Sequence, residues 1–173
     1  MQTEIIKNTA GDVPAMMRIY SEARRAIARF GIDQWQNGYP EEHVIAGDVS
    51  LGRSYSLRCG GEICALFAVI DDGEPTYDVI YGGNWLTGPD GRYLAIHRVA
   101  VSDAARGQGL SKAIFGFAEE LARRDGLGSV RIDTHEGNLA MRHALEKYGF
   151  SLCGRIHLAN GDPRVAYEKV LTS

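Results

Sequence analysis

Hydrophobic positions follow a helical spacing in the first part of the chain. After a short alternating segment at residues 3–9, apolar residues recur every three or four positions over residues 13–30. This pattern predicts a strand followed by an amphipathic helix. We expect Asp12 to be the N-cap of that helix, with Pro14 in its first turn and Gly31 at its end.

The middle of the chain has the pattern of a β-hairpin. The β-rich stretches "SYSLRC" and "EICALFAVI" flank Gly60 and Gly61, which supply the turn. A short helix is predicted within residues 41–52, before the hairpin. The Gly-rich connection at residues 71–92 has no clear periodicity, and loops of this length in compact domains are mostly functional or disordered.

A strand, a helix and a second strand follow the long connection. We predict strands at residues 93–102 and 129–135, and a core-facing stripe on the helix between them. The stripe comprises Leu110, Ile114, Phe117 and Leu121. This order predicts a right-handed βαβ crossover with two parallel strands.

The C-terminal part is predicted to contain one more helix and one more hairpin. The helix at residues 138–148 ends at Gly149, and Phe150 packs back against it. The hairpin turns at Asn160-Gly161. With no internal repeat and no linker, residues 1–173 are predicted to form one mixed α/β domain.

Composition and charge narrow the class of protein. The chain has 173 residues, of which 45% are hydrophobic, and a formal net charge of −3, so no global basic field points to nucleic acid. No apolar run approaches the roughly 18 residues of a membrane helix, and the N-terminus lacks a signal-peptide pattern. Cys59, Cys64 and Cys153 show no CxxC spacing. We therefore expect reduced thiols and a cytoplasmic location, with no membrane partner.

Gly107 and Gly109 stand directly before the predicted βαβ helix. Glycine lets the backbone approach a ligand closely, and a helix N-terminus offers unpaired N–H groups and partial positive charge. Together they favour a phosphate or pyrophosphate site. The dinucleotide-binding motif GxGxxG is incomplete, because Lys112 stands where its third glycine would be. The ATP-type motif GxxxxGK[ST] does not occur. A simple tight turn is the alternative.

Two segments carry a family resemblance. "VAVSDAARGQGLS", followed by "IDTHEGNLAMRHALEKYGF", resembles the acyl-CoA-binding core of the GNAT superfamily of N-acetyltransferases. The matching positions are Arg106, Gly109, Asn138 and the pair Gly149-Phe150. Two positions depart from the family pattern: Ser111 replaces the usual Gly or Ala, and Leu145 replaces a tyrosine thought to protonate the departing thiolate.

The resemblance implies a GNAT-like mixed sheet whose parallel strands splay apart to hold acyl-CoA. It implies that the loop before the helix holds the pyrophosphate, while Val99 and Val101 pair their backbones with the pantetheine arm. The Val99 N–H would then donate to the thioester oxygen. The cofactor-binding set is Val99, Val101, Arg106, Gly107, Gln108, Gly109, Leu110, Ser111 and Asn138. Asn138 can also be an ordinary helix N-cap.

His97 is the candidate general base, because an imidazole titrates near neutral pH. It lies two positions before Val99, so a regular strand would place both on one face. A plain surface or core-edge histidine is the alternative, and His135 is a second candidate base. Tyr148 is a candidate acid for the leaving thiolate, with simple packing against the helix as its alternative. Asp133 is expected to be structural.

The predicted function is transfer of an acetyl group from acetyl-CoA to a primary amine by direct attack, with no metal. A small-molecule amine and a peptide amine are both open as acceptors, and so is the oligomeric state, including a homodimer. Candidate walls of the acceptor site are Trp35, Gln36, Tyr39, Tyr77, Asp78, Tyr81 and Trp85. Glu74 and Asp78 would suit a cationic amine. The alternative function, which Leu145 favours, is a CoA-binding sensor without turnover.

Overall fold

The structure is a computed structural model that describes residues 2–172. The chain forms two compact units, each assembled from separate segments. One comprises Arg98–Leu110 and the described part of Met1–Val69; the other comprises Ile70–His97 and the described part of Ser111–Ser173. No helix within residues 2–172 has the length and apolar character needed to cross a membrane.

Within residues 2–172, four helices and seven strands correspond to the predicted elements. The helices are α1 (Val13–Arg29), α2 (Glu42–Ser50), α3 (Ser111–Arg124) and α4 (Leu139–Tyr148). The strands are β1 (Thr3–Lys7), β2 (Ser54–Cys59), β3 (Glu62–Ile70), β4 (Tyr93–Val101), β5 (Ser129–Thr134), β6 (Ser151–His157) and β7 (Pro163–Val170). Each predicted helix and strand is present, within a few residues of its predicted bounds.

The strands form a mixed sheet in the order β1-β2-β3-β4-β5-β7-β6. β4 and β5 are parallel, whereas the β1–β2, β2–β3, β5–β7 and β6–β7 pairs are antiparallel. The parallel pairing extends from Tyr93 with Ser129 to Ile96 with Ile132, although both strands continue beyond it. The mixed α/β class and the parallel neighbours are confirmed.

The first unit is built around the apolar face of α1. Met16, Ile19, Tyr20 and Ala23 are buried on this face and pack with Ile45, Leu66 and Ala100. Asp12 occupies the predicted N-cap position of α1, but its carboxylate makes no capping hydrogen bond to the helix. It accepts a 2.8 Å hydrogen bond from the Thr9 N–H and pairs with Arg58 at 3.1 Å. The Asp12 side chain thus stabilises the turn that precedes α1.

The second unit has its own apolar cluster, to which the long connection contributes. Tyr77 and Trp85 are buried in it together with Ala95, Cys153, Ile156 and Ala166. The connection is therefore packed, with a short 3-10 turn at Pro75–Tyr77. On α3 the buried residues are Ile114, Phe115, Ala118, Leu121 and Ala122. The predicted stripe was wrong at two positions. Phe117 is only partly covered and Phe115 is buried instead, while Leu110 precedes α3 and is only partly covered.

A buried ion pair ties the connection to the sheet. The Glu168 carboxylate, which is fully buried, accepts hydrogen bonds from Arg131 Nε at 2.8 Å and from Ser129 and Thr87 hydroxyls, both at 2.7 Å. The Arg131 guanidinium lies between the rings of Trp85 and Tyr93, 4.2 and 4.1 Å from their centroids. Burial raises the pKa of Glu168, but these donors outweigh it and lower the pKa.

We expect Glu168→Gln to cost about 3–5 kcal/mol of unfolding free energy, because it leaves the buried Arg131 charge uncompensated. Since the folded-state pKa is lowered, this contribution is complete above the unfolded pKa, near 4.5, and is lost as pH falls below it. Urea unfolding at neutral and acidic pH measures both effects. Glu136→Gln, at the exposed pair with Arg155, is the control and should change stability little. Equal losses in the two variants would contradict the prediction.

Candidate active site

The loop before α3 has the conformation that its glycines allow. Gly107 and Gly109 have φ angles of 83° and 71°, which side chains rarely adopt. A Cβ built on either residue would meet no atom within 4 Å among the described residues. The glycines are therefore required by backbone conformation, and the space beside them is open.

The side chains of this loop are held by nearby backbone and acidic groups. Arg106 forms an ion pair with Asp103 and donates to the Val101 carbonyl at 3.0 Å. Gln108 donates to the Ala104 carbonyl at 3.4 Å. Gln108 and the two glycines are exposed, whereas Leu110 and Ser111 are partly covered. Arg106 thus fixes the position at which β4 leads into the glycine loop.

β4 contains a local irregularity at Arg98, whose φ angle is 53°. A left-handed residue interrupts the alternation of an extended strand, so regular alternation does not place His97 and Val99 on one face. The Arg98 carbonyl accepts a 3.0 Å hydrogen bond from the Tyr20 hydroxyl. Its guanidinium binds both oxygens of Asp48 at 2.7 Å and donates to the Tyr39 hydroxyl at 2.9 Å.

These contacts hold Arg98 in an unfavourable backbone conformation. A non-glycine residue in the left-handed region costs of the order of 1–3 kcal/mol, and persists where its surroundings hold it. The Arg98–Asp48 pair is only slightly exposed, at 12% and 11% of the two side chains. The irregularity lies directly before Val99, the residue whose N–H is the candidate oxyanion donor. No sequence pattern indicated this arrangement.

His97 lies against a carboxylate and an aromatic ring. Its Nε2 is 3.1 Å from Oε2 of Glu74, and only 15% and 17% of the two side chains are exposed. The Tyr77 ring packs on the imidazole with centroids 5.9 Å apart. The contact with His97 and hydrogen bonds from Thr76 outweigh burial and lower the pKa of Glu74 to about 2. Glu74 is therefore ionised at neutral pH.

Tyr77 connects this group to β5. Its hydroxyl donates a 2.7 Å hydrogen bond to Oδ2 of Asp133, which gives Asp133 the structural role expected for it. Burial, with the nearby Asp133 charge, raises the pKa of Tyr77 well above its usual value. Tyr77 remains a neutral donor, and its ring supports His97.

Asn138 and His135 lie in the turn between β5 and α4. Asn138 is the N-cap of α4, where its Oδ1 accepts from the Met141 N–H at 3.2 Å. His135 accepts at Nδ1 from the Gly137 N–H at 2.9 Å. This bond occupies one of the two ring nitrogens through which His135 could take a proton.

Tyr148 packs at the end of α4. Its ring lies 5.4 Å from Phe115 and 6.2 Å from Phe150, and the Lys169 ammonium lies 4.5 Å from its centroid. These contacts favour the packing interpretation of Tyr148. Leu145 is fully buried, so the family's tyrosine position carries an apolar side chain here.

The candidate walls of the acceptor site fall into three groups. Tyr77 and Trp85 are buried in the core of the second unit, so they do not form an open wall. Trp35 is partly buried against the first unit's core, and Tyr39 is engaged by Arg98. Asp78, Tyr81 and Gln36 remain exposed. Glu74, expected to face a cationic amine, instead faces His97.

The chain belongs to the acetyltransferase (GNAT) family, whose model matches residues 16–150. The family assignment is thereby confirmed, and with it the general activity of acetyl transfer. Among curated proteins, no relative matches the sequence.

Solved structures share the fold over nearly the whole chain. A GNAT-family acetyltransferase from Streptococcus agalactiae is 35% identical, with a TM-score of 0.88 over 99% of this chain and 96% of that chain. The PaiA N-acetyltransferase from Thermoplasma acidophilum, in complex with coenzyme A, is 13% identical, with a TM-score of 0.72 over 99% and 100%. The ribosomal-protein-S18-alanine N-acetyltransferase from Escherichia coli is 14% identical, with a TM-score of 0.68 over 99% and 96%.

Proposed function

We propose that residues 1–173 form one N-acetyltransferase domain that transfers an acetyl group from acetyl-CoA to a primary amine by direct attack. The observation that carries the proposal is the His97 imidazole, held beside the ionised Glu74 carboxylate. Membership of the acetyltransferase family supplies the reaction class. The family match includes segments of both compact units, which supports treating them as one functional domain.

In this proposal the glycine loop binds the pyrophosphate of acetyl-CoA. Open space at Gly107 and Gly109 allows the backbone N–H groups of the loop to approach a phosphate. The proposed binding set remains Val99, Val101, Asn138 and the loop from Arg106 to Ser111. That the distant neighbour from Thermoplasma acidophilum was solved with coenzyme A is consistent with this choice of co-substrate.

Acetyl-CoA supplies a thioester carbonyl that an amine can attack. As the amine nitrogen bonds to the carbonyl carbon, His97 accepts the proton that the amine loses. The Val99 N–H donates to the oxygen on which negative charge develops. The C–S bond then breaks, and coenzyme A leaves as a thiolate. Tyr148 was the candidate to protonate it, but its packing contacts leave that role unassigned.

A free-thiol release assay with acetyl-CoA tests the proposal. The panel should contain small primary amines, polyamines, and peptides that offer an N-terminal or lysine amine. We expect thiol release with at least one member, accompanied by the acetylated amine in mass spectrometry. Binding of acetyl-CoA without turnover on any amine would instead favour the sensor alternative, for which the apolar Leu145 is the supporting observation.

Leu145→Tyr tests whether protonation of the thiolate limits the rate. The matched control is Leu145→Phe, which adds similar volume without a hydroxyl. Both variants overpack a buried site and should lose about 1–3 kcal/mol of stability. We expect the tyrosine variant to turn over faster than the phenylalanine variant, because it restores the family's acid. Equal rates would show that the hydroxyl contributes nothing at this position.

A further inference from the structure

Glu74 is held so that one carboxylate oxygen faces His97. Its Oε1 accepts hydrogen bonds from the Thr76 N–H at 3.2 Å and the Thr76 hydroxyl at 2.9 Å. The backbone N–H of Glu74 donates to the Tyr93 hydroxyl at 2.8 Å. With Oε1 and the backbone fixed, Oε2 is left pointing at the imidazole.

This arrangement decides which imidazole nitrogen carries hydrogen in the neutral ring. Neutral imidazole has one N–H and one bare lone pair, and an ionised carboxylate can only accept. A bare Nε2 lone pair 3.1 Å from Oε2 would be repelled, whereas an N–H at the same place is attracted. The proton therefore belongs on Nε2, and the lone pair on Nδ1.

The contact lacks the alignment of a hydrogen bond, since the buried Nε2 has no well-aligned partner among residues 2–172. The attraction between Nε2 and Oε2 is accordingly electrostatic. Catalytic hydrogen bonds are often poorly aligned before substrate binds and tighten in the complex. The Tyr77 ring, itself fixed through Asp133, restrains the imidazole from its face.

We propose that Glu74 is a positioning residue that keeps His97 as the Nε2–H tautomer, so that Nδ1 is the atom that accepts the proton of the acceptor amine. This rests on the proposed function, in which His97 is the base. Glu74 does not touch the substrate in this proposal. It sets which nitrogen of His97 is basic and holds the imidazolium charge that forms when the amine is deprotonated.

Imidazole nitrogen NMR of the ¹⁵N-labelled full chain, at mildly alkaline pH, tests the tautomer without activity. The five histidines give separate signals, and the set that disappears in His97→Gln belongs to His97. We expect the Nε2–H tautomer in the wild type. In Glu74→Gln the amide oxygen can still accept from Thr76 while its NH₂ faces Nε2, so we expect a switch to Nδ1–H. A wild-type Nδ1–H tautomer, a doubly protonated ring, or no switch in the variant would overturn the proposal.

Steady-state kinetics give the second readout. We expect Glu74→Gln to lower kcat by roughly 10²-fold, as for a misplaced catalytic group, while KM for acetyl-CoA is unchanged. Glu74→Asp should restore part of the loss, because it keeps the charge. Asp71→Asn, an exposed carboxylate of the same connection, is the matched control and should keep wild-type values. A rise in KM for the amine with unchanged kcat would assign Glu74 to substrate binding and overturn the positioning role.

The two failures are distinguishable. If the wild type releases no thiol with any amine, the proposed function fails, while the NMR experiment still decides whether Glu74 sets the His97 tautomer. If the wild type is active and His97→Ala is not, but Glu74→Gln changes neither tautomer nor kcat, the function stands and the role of Glu74 is wrong. Circular dichroism and thermal melting of each variant exclude loss of folding as the cause.

Discussion

We expect His97→Ala to lower kcat by roughly 10²- to 10⁴-fold, the usual contribution of a general base. The physical reason is that the amine nitrogen must lose a proton to attack, and His97 is the candidate base held beside an ionised carboxylate. Rates of thiol release across pH measure the effect. The variant should also lose the acidic limb of its rate profile, because that limb reports protonation of the base.

Binding of acetyl-CoA should be almost unchanged in His97→Ala, since the proposed cofactor contacts lie in the glycine loop and the β4 backbone. His143→Ala, an exposed histidine of α4, is the control and should keep the wild-type rate. If His97→Ala keeps the wild-type rate and pH profile with a true acceptor, the base is water or His135. The proposed acetyl-transfer activity would still stand, and only the role of His97 as the general base would be wrong.

We expect Gly109→Val to abolish the thermal stabilisation that acetyl-CoA is proposed to give the wild type. A ligand bound only by the native state stabilises it by about 2.7 kcal/mol at a hundredfold excess over Kd. Valine at φ 71° strains the loop and fills the open space beside its backbone. Melting temperatures with and without saturating acetyl-CoA measure the loss.

Gly126→Val is a closely matched control for this experiment. Gly126 has a φ angle of 70°, and its built Cβ also meets no atom within 4 Å of the described chain. It follows the C-terminal end of α3 rather than preceding the N-terminal end. The variant should lose similar intrinsic stability but keep the shift with acetyl-CoA. A wild type that shows no shift would refute both the acetyl-CoA-dependent enzyme and the sensor alternative.

The candidate site could be predicted only as a set of positions. The ordered motif around Gly109 and Asn138 indicated the family, because each of its residues has a task set by its immediate neighbours, such as the turn before a helix or the cap of a helix. His97 could be proposed from its position in a strand. The contact between His97 and Glu74 could not be predicted, since Glu74 lies in the long connection, whose sequence has no periodicity to show which side chains it would meet.

The sequence alone determined the helices, the hairpins and the βαβ unit. Their signals are local: the helical period of α1, the Gly60-Gly61 and Asn160-Gly161 turns, and the glycine after α4. Such signals involve only a few neighbouring residues, so they can be recognised without knowledge of the rest of the chain.

Only the tertiary structure decided which polar and aromatic side chains meet. Tyr77 and Trp85 looked like exposed loop aromatics, but the apolar cluster of their unit buries them. Arg98 reads as an ordinary strand residue, yet Asp48, Tyr20 and Tyr39 together hold it in a left-handed conformation. These outcomes depend on contacts between residues far apart in sequence. Desolvation, ion pairing and backbone strain at such contacts are properties of the packed chain, and no local pattern encodes them.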